Sequence, residues 1–363
     1  MVFQWYLFVL LVFVAAFAKL AKQTYTIEVL GTTETRYRWL PVLMIVVPLI
    51  ALSGTRTDIA DTGAYREMFL SLNSSFSEVI SAEAKDKGFS IFTFFLKQII
   101  GNDDTLYFII IAAICLMCVA SVYKKHSCNF MMSMFLFIAS SDYVQWTYNG
   151  MRQFIAVSVL FAASDLLLRR KYIKYYGLIL LMSTVHASAL IMIPVSLVVL
   201  GRPWNMRTVV FTIAILIAIN FSGTLRNMIA DFMSETQYGA EVKQFLETEG
   251  TNVLRVLVFC IPPVLALVFK RYLLAVSVPI IDLSTNMAIV SMGMYIVSAV
   301  TSGVIIGRIP IYFSLYNYIL LPWLVENVFE KKSHTLVYSC LIVCYLVFYW
   351  YQMTVAWDFS AYV

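Results

Sequence analysis

The sequence is poor in charge. Only 13% of its 363 residues are Asp, Glu, Lys or Arg, against about 25% in an ordinary soluble domain. Hydrophobic residues make up 61%, which is more apolar surface than one globule can hide from water. A soluble fold is therefore excluded, and an exterior facing lipid is predicted. The chain has only 9 Pro and 6 scattered Cys, which excludes intrinsic disorder and a disulfide-stapled scaffold.

Several functional motifs are also missing from the sequence. It has no P-loop, no Rossmann glycine turn and no zinc motif, so ATP-driven transport and metal-dependent hydrolysis have no support. Cys115 and Cys118 lie one helical turn apart in an apolar run, but no second ligand pair accompanies them. We predict no metal site and no cofactor. Met1 to Leu20 lacks a positive n-region and a cleavage site, so we predict a retained span and not a signal peptide.

Long apolar runs predict the architecture. At ~20 residues per span, the chain is predicted to be an all-α polytopic membrane protein, with residues 1–363 forming a single integral membrane domain. It would have roughly twelve transmembrane helices. The predicted spans are Val2–Ala18, Trp39–Ser53, Leu106–Tyr123, Phe130–Ser141, Phe154–Leu168, Tyr172–Val185, Ser188–Leu200, Val209–Phe221, Val253–Phe269, Thr285–Ile305, Ile311–Val328 and Thr335–Gln352. The shorter run Phe89–Ile100 predicts a re-entrant or interfacial helix.

The distribution of basic residues predicts the orientation. Most of the 26 Lys and Arg fall in loops that this layout assigns to the cytoplasm, as the positive-inside rule requires. The outer loops would then be residues 54–105, 142–153 and 222–250, the last of them acidic. Keeping this agreement requires two short helices separated by His186. If this region formed one kinked helix, the predicted orientation of every later span in the membrane would be inverted. Short helices that flank a polar residue are typical of a site within the membrane.

The first candidate cluster follows the second predicted span. It holds Arg56, Asp58, Asp61, Tyr65 and Arg66 close together. Arginine binds phosphate through two parallel hydrogen bonds, and a carboxylate beside it can orient it or act as a base. The alternative is a solvated loop with local salt bridges.

A second cluster lies between the fourth and fifth predicted spans. It is rich in aromatic and amide side chains and contains an arginine. Aromatic rings of this kind can stack on the faces of sugars, and amides can hydrogen-bond to sugar hydroxyls. The alternative is an aromatic belt at the membrane interface with a snorkelling Arg. Its candidate residues are Tyr143, Trp146, Tyr148, Asn149, Arg152 and Gln153.

Two further candidates are single residues in apolar surroundings. His186 is the only histidine away from lysine pairs, since His126 and His334 adjoin such pairs and are interpreted as solvated. An ionisable residue within a membrane segment indicates function, although a packed, hydrogen-bonded His is the alternative. Arg308 lies between Gly307 and Pro310, with Tyr312 close by, and can either face a cavity or snorkel from a helix end.

In this topology all four clusters fall on the outer side of the membrane. Three arginines, one histidine and carboxylates converging on one face favour a site, in an outer-face cavity, for an anionic lipid-linked substrate. Diphosphate is the anion that this charge pattern fits best.

These residues also carry a family resemblance. The ordered motifs Arg56-Thr-Asp58…Asp61-Thr…Tyr65, Asn149-Gly-Met-Arg152-Gln153-Phe-Ile-Ala, His186-Ala-Ser188-Ala-Leu and Gly307-Arg308-Ile…Tyr312-Phe313 resemble the EpsG family of Wzy-like bacterial exopolysaccharide and O-antigen polymerases. The similarity runs from the second predicted span to the eleventh. One departure is that similar proteins often place the Arg upstream of Gly-Thr-Asp, whereas here it lies inside the motif.

The resemblance implies a metal-independent glycosyltransferase of GT-C architecture, active on the outer face of the bacterial cytoplasmic membrane. Such enzymes transfer a glycan from undecaprenyl diphosphate to the next lipid-linked repeat unit. A chain-length regulator and a flippase are expected partners, and nucleic acid is not. The implied catalytic residues are Asp58, Asp61, Arg152, His186 and Arg308. The implied substrate-binding residues are Arg56, Tyr65, Tyr143, Trp146, Tyr148, Asn149, Gln153 and Tyr312.

Three other functions fit the composition less well. A flippase for lipid-linked oligosaccharide is expected to have charged residues along a central cavity that opens to both sides, and to show an internal repeat. Neither feature is evident in the sequence. A membrane acyltransferase built on His186 often needs an opening on the cytoplasmic side, opposite to the predicted one. A scaffold subunit would not need three arginines facing one cavity.

Overall fold

The computed structural model describes residues 2–29, 32–57, 59–72, 75–81, 85–236 and 239–357. The chain is 80% helical, which confirms the all-α class. One antiparallel hairpin was not predicted: strand β1, Thr24–Val29, pairs with strand β2, Thr32–Tyr37. Threonine and tyrosine occur in both strands, and residues of these types pack well on a pleated surface.

Helices account for the rest of the regular structure among the described residues. In the first half they are α1 (Val2–Leu20), α2 (Trp39–Gly54), α3 (Thr62–Ser71), α4 (Phe76–Ser81), α5 (Lys87–Ile100), α6 (Asp104–His126), α7 (Phe130–Ala139), α8 (Asp142–Tyr148), α9 (Met151–Ala162), α10 (Ser164–Leu168) and α11 (Tyr172–Val185). In the second half they are α12 (Met192–Val199), α13 (Met206–Asn220), α14 (Ser222–Ser234), α15 (Val242–Glu247), α16 (Val253–Val268), α17 (Lys270–Val276), α18 (Pro279–Val300), α19 (Ile311–Ser314), α20 (Asn317–Val328) and α21 (Lys331–Tyr351). Short 3₁₀ segments are Ala187–Ile191, Gly239–Glu241 and Ile306–Arg308, and a π-helical turn is Gln352–Ala356.

Local sequence explains where several helices begin and end. The Asp103 carboxylate accepts a hydrogen bond from the Leu106 amide at the start of α6, and Lys124, Lys125 and His126 occupy its last turn. Acidic caps at the start and cations at the end both favour the helix dipole. Asn205 caps α13 in the same way, through the amides of Arg207 and Thr208.

Among the residues that the structure describes, four helical segments are long and apolar enough to cross a membrane, judged by length and composition. They are Asp104–His126, Met151–Leu168, Pro279–Val300 and Lys331–Ala356. Two bent pairs, α13 with α14 and α16 with α17, bring the number to six if each pair is one span. Five shorter apolar segments have 10–17 residues: Trp5–Leu20 of α1, the helices α2, α7 and α11, and Ala187–Val199. The chain is therefore a polytopic membrane protein, while the number of about twelve spans stays a prediction.

The structure confirms some predicted boundaries and corrects others. The break at His186 is confirmed, because α11 ends there and a 3₁₀ turn follows. The segment 222–250, predicted as an acidic outer loop, is largely helical, because α14 and α15 occupy much of it; its place outside the membrane stays a prediction. These helices bury Ala230, Met233 and Phe245 in a small core. The predicted helix Ile311–Val328 is interrupted between α19 and α20.

The chain divides into two compact units. Unit 1 comprises residues 1–166, 171–190 and 325–363, and unit 2 comprises residues 167–170 and 191–324. In unit 1, α6 packs against both α2 and α9. A Cβ added at Gly54 would lie 2.1 Å from Cγ1 of Ile109, so the glycine allows α2 and α6 to approach closely. In unit 2, α13 and α16 pack against α18.

Candidate functional site

One end of unit 1 collects most of the predicted site residues. The last residue of α2, the first residues of α6 and the first residues of α9 meet there. Arg56 follows α2, Tyr107 lies in the first turn of α6, and Arg152 lies in the first turn of α9. The helices α2 and α9 both pack against α6, and they bring two separate sequence motifs to one place.

Arg56 joins the first motif to the second. Its guanidinium donates to the carbonyl oxygen of Thr147, and its Nη2 lies 2.6 Å from Sδ of Met151. The guanidinium carbon lies 4.1 Å from the ring centre of Phe108 and 5.2 Å from that of Tyr148. Burial lowers the pKa of Arg56 to about 10, so the side chain stays charged at neutral pH. We interpret Arg56 as a buried cation that holds the two motifs together.

Arg152 is bound to a residue that the sequence analysis did not select. Its Nη1 lies 3.1 Å from Oδ2 of Asp86. The Asp86 side chain is only 7% exposed, whereas that of Arg152 is 33% exposed. The Arg152 guanidinium also lies 5.8 Å from the ring centre of Tyr65 and 5.9 Å from that of Phe89. One side of the arginine is thus held by a carboxylate and two rings, while part of it stays accessible.

Asp86 also connects Arg152 to the histidine motif. Its Oδ1 accepts a hydrogen bond from the backbone amide of Ala187, at 3.2 Å, directly after His186. Burial raises the pKa of Asp86 above the ordinary carboxyl value, and the charge of Arg152 only partly opposes this shift. Asp86 has a left-handed backbone with φ of 59°, which Asp adopts more readily than most residues. The second and third motifs therefore meet at this one carboxylate, and Tyr65 of the first motif lies beside Arg152.

His186 has an extended backbone and connects α11 to the 3₁₀ turn. Its Nδ1 lies 2.7 Å from Oγ of Ser188 and accepts the Ser188 backbone N–H at 3.3 Å. An acceptor nitrogen carries no proton, so these contacts favour the neutral tautomer that is protonated on Nε2. Neutral His186 is therefore a hydrogen-bond donor through Nε2.

Asp61 links the first motif to the start of α9. It precedes α3, but its side chain makes no capping bond to that helix. Instead, its Oδ2 accepts the backbone N–H of Gly150 at 3.3 Å. Gly150 has a φ of 77°, a conformation that favours glycine. Asp58, the other predicted carboxylate, lies outside the described residues.

The predicted sugar-binding aromatics are largely buried. Tyr143 donates to the carbonyl of Leu49 and accepts from the Ser53 hydroxyl, and Tyr148 donates to the carbonyl of Leu52. Trp146 is fully buried as well. These contacts pack α8 against α2, so the structure gives the three rings a packing role, and their contact with sugar stays a prediction. Among the other predicted ligands, Tyr65 and Gln153 are buried and Asn149 is half-buried at the end of α8.

The fourth motif lies in unit 2. Arg308 ends the 3₁₀ turn and is half-buried, and Tyr312 is buried in α19. A Cβ added at Gly307 would lie 2.6 Å from Oγ1 of Thr251, which itself lies 2.7 Å from Oγ of Ser298. The turn that carries Arg308 is thus packed tightly between the start of α16 and the end of α18. Its convergence with the three motifs of unit 1 stays a prediction.

Sequence reasoning missed two charged residues. Asp86 was not selected, because it lies between two loop lysines in sequence, and only the fold brings it to Arg152. Arg255 lies in the first turn of α16, buried, with its guanidinium 5.2 Å from the ring centre of Phe259 and 5.9 Å from that of Tyr295. An arginine inside an apolar run is a signal that could have identified it.

The two histidines predicted to be solvated are not, and that prediction was wrong. The His126 side chain is 14% exposed, and its Nε2 lies 2.9 Å from Oδ1 of Asp165. His334 contacts Glu326 and the carbonyl of Phe329. The neighbouring lysines misled the prediction, because residues adjacent in sequence on a helix point in different directions. In the described part of the chain, no group of three His, Cys, Asp or Glu side chains is placed to hold a metal ion.

The fold and these sites define a polytopic membrane protein with a cluster of charged groups at one end of its helices. The sequence model of the EpsG family matches residues 39–362. The chain therefore belongs to the EpsG family, as the four motifs predicted. It matches no curated protein and no solved structure. Family membership supports a role in polysaccharide polymerisation in the broad sense.

The Asp86 contact makes a testable prediction. An Asp86→Asn variant keeps an acceptor for the Ala187 amide but loses the charge that holds Arg152. We expect polymer formation to fall by about tenfold, within the range for a lost charge-assisted hydrogen bond. Because the pKa of Asp86 is raised, the wild type protonates this group at a higher pH than an ordinary carboxyl. Wild-type activity should therefore fall earlier as pH is lowered.

The pH profile separates this positioning role from a structural one. The acidic decline due to Asp86 should be absent from the Asp86→Asn variant, measured as initial polymer formation against pH. An Asp231→Asn variant is the matched control, because Asp231 is an exposed residue of α14. An unchanged pH profile in Asp86→Asn would contradict the role assigned to Asp86.

Proposed function

We propose that this protein polymerises lipid-linked oligosaccharide repeat units by metal-independent glycosyl transfer. The donor would be a glycan on undecaprenyl diphosphate, and the acceptor a hydroxyl of the next repeat unit. The observation that carries the proposal is the placement of Arg152. It is a partly exposed guanidinium in the first turn of α9, held by Asp86 and surrounded by Tyr65, Phe89 and the histidine motif.

This placement suits a leaving diphosphate. A helix N-terminus presents free backbone N–H groups and a positive dipole to an anion. Arg152 adds a permanent positive charge with planar, paired donors at the same end of α9. Positive charge that is already in place stabilises the transition state in which the bond from the sugar carbon to the phosphate oxygen breaks. We propose that Arg308 is a further cation that stabilises negative charge during the reaction.

The acceptor hydroxyl must lose its proton as the new sugar–oxygen bond forms. Neutral His186 offers the N–H of Nε2 and not a lone pair at that nitrogen, which suits it to donate to a phosphate oxygen. The carboxylates are therefore the better bases, and Asp61 lies at the start of α9 with Arg152. We propose that Asp61 or Asp58 accepts the proton, and that Arg56 preserves the arrangement of the motifs.

We further propose a GT-C-type architecture with about twelve spans in the bacterial cytoplasmic membrane, and with the site facing outward. The four long helices, the two bent pairs and the five shorter apolar helices come close to that number. A chain-length regulator and a flippase would act with the enzyme. Membrane lipid would surround it.

The decisive experiment mixes the purified full-length protein with lipid-linked repeat units, without nucleotide and in the presence of a chelator. We expect a ladder of products with increasing numbers of repeat units on gel electrophoresis. A flippase would move the substrate across vesicles and leave its length unchanged. Unextended repeat units together with transport in sealed vesicles would reject the polymerase and favour the flippase.

The orientation can be tested with cysteine labelling. A His186→Cys variant in a background with all native Cys replaced should react with an impermeant thiol reagent added outside cells. A Lys124→Cys variant should react only after the membrane is permeabilised, because Lys124 lies in the last turn of α6, at the end opposite to the site. The reverse labelling pattern would contradict the proposed orientation.

A further inference from the structure

The opposite ends of α2, α6 and α9 form a pocket. It has a volume of about 560 Å³ and lies where α2 begins, α6 ends and α9 continues into α10, beneath the β1–β2 hairpin. We call it the distal pocket. Its polar and aromatic lining includes Tyr25, Arg36, Trp39, Lys124, Lys125 and Asp165. Since α6 has 23 residues with a rise of about 1.5 Å per residue, the distal pocket lies a helix length away from the candidate site.

The distal pocket carries an excess of positive charge. Lys125 and His126 both contact Asp165, which partly neutralises them. Lys124 instead lies over aromatic rings, with Nζ 5.0 Å from the ring centre of Trp39 and 5.8 Å from that of Tyr25. Aromatic contact leaves its charge available to an anion.

Arg36 adds a donor that has no acceptor. Its side chain is only 7% exposed, and its terminal nitrogens bond Glu34 and the carbonyl of Ser127. The buried Nε has no hydrogen-bond partner among the described residues. A buried donor without a partner costs free energy, so an acceptor atom in the pocket would be favoured there.

The surface leading away from the distal pocket is apolar. Trp39, Leu40, Leu43 and Val47 are all exposed on α2. Leu40, Leu43 and Val47 follow helical spacing, so they form one stripe along the helix. Tryptophan at the start of an apolar helix is typical of the membrane–water interface. The distal pocket therefore joins a basic site at headgroup level to a surface that suits acyl chains.

We propose that the distal pocket binds the phosphodiester headgroup of an anionic membrane lipid. Lys124 and Arg36 would contact the phosphate, and the acyl chains would lie along the stripe from Leu40 to Val47. Basic pockets between membrane helices are known to take such headgroups, and the volume falls in the range of ligand sites. The proposal does not depend on the proposed polymerase function.

The test measures lipid retained by the purified full-length protein in native mass spectrometry. Titration with phosphatidylglycerol and with phosphatidylcholine should show tighter binding of the anionic lipid. A Lys124→Gln variant should bind phosphatidylglycerol about fivefold more weakly, as expected for one charge near the membrane surface. A Lys124→Arg variant should keep the preference, which separates loss of charge from loss of folding.

The matched control is Lys174→Gln, because Lys174 is an exposed lysine of α11 that does not line the distal pocket. It should bind phosphatidylglycerol as the wild type does. Equal binding of the two lipids by the wild type would overturn the proposal, and so would an equal loss in Lys174→Gln. Displacement of the lipid by inorganic phosphate, but not by sodium chloride at the same ionic strength, would assign the pocket to a soluble phosphate and reject the lipid.

Discussion

An Arg152→Ala variant is expected to leave single repeat units on their lipid carrier. The substitution removes the partly exposed cation at the start of α9, and it leaves the buried Asp86 carboxylate with the Ala187 amide but without the arginine that contacts it. Loss of one preorganised charge that stabilises a transition state costs about 100- to 1,000-fold in rate. The measurement is the rate at which purified protein extends lipid-linked repeat units, with the folded fraction checked by size-exclusion chromatography.

Two further variants test whether the loss of activity comes from the charge and geometry of Arg152. Arg152→Lys keeps the charge but loses the planar, paired donors, so we expect it to recover only part of the activity. Arg169→Ala removes an exposed arginine just beyond α10, which follows the C-terminal end of α9, whereas Arg152 lies in the first turn of α9. This variant should extend repeat units at the wild-type rate. Polymer of normal length and at normal rate from Arg152→Ala would refute the assignment of the leaving diphosphate to this residue.

A Gly88→Ala variant is expected to lose both stability and activity. A Cβ at residue 88 would lie 2.1 Å from Oγ1 and 2.8 Å from the backbone carbonyl carbon of Thr184. The added methyl group would therefore push α5 away from α11. Overpacking of this kind costs about 1–3 kcal/mol, and the shift would also separate Asp86 from the Ala187 amide. We expect a lower unfolding temperature in detergent and little polymer.

The control for this variant is Gly177→Ala. Gly177 lies within α11, and a Cβ there would meet no atom within 4 Å. Because alanine loses less backbone freedom than glycine on folding, this variant should be as stable as the wild type or more so. Adding Thr184→Gly to Gly88→Ala removes the side-chain part of the clash and should recover part of the stability. Wild-type stability and activity in Gly88→Ala alone would show that α5 and α11 do not approach as closely as described.

Particular residues show how much of the candidate site could be predicted from the sequence. Arg152 and His186 were selected because a charged or titratable group is rare and costly in apolar surroundings, and the structure brings their motifs together in unit 1. Arg56 was also selected, but as a substrate ligand, whereas its contacts with Thr147, Phe108 and Tyr148 make it a buried link between motifs. Sequence spacing cannot distinguish these roles, because burial depends on which helices pack around the residue.

Asp86 marks the limit of sequence reasoning most clearly. It lies in a polar stretch beside Lys85 and Lys87, where a carboxylate is usually a solvated charge. Its importance comes from two partners that are distant in the chain, Arg152 and the Ala187 amide. The distal pocket was missed for the same reason, because Arg36, Lys124 and Asp165 come from separate segments. Lys124 was interpreted only as one of the basic residues that orient the chain in the membrane.

The scarcity of charge by itself determined that this chain is a helical membrane protein, and the order of four motifs determined its family. Apolar periodicity and helix-breaking residues act locally, so most helices and the break at His186 could be predicted from neighbouring residues. The tertiary structure alone decided which charges meet. The partners of Arg152 come from loops and helix ends far apart in sequence, and only the packing of α2, α5, α6, α9 and α11 brings them within hydrogen-bond distance.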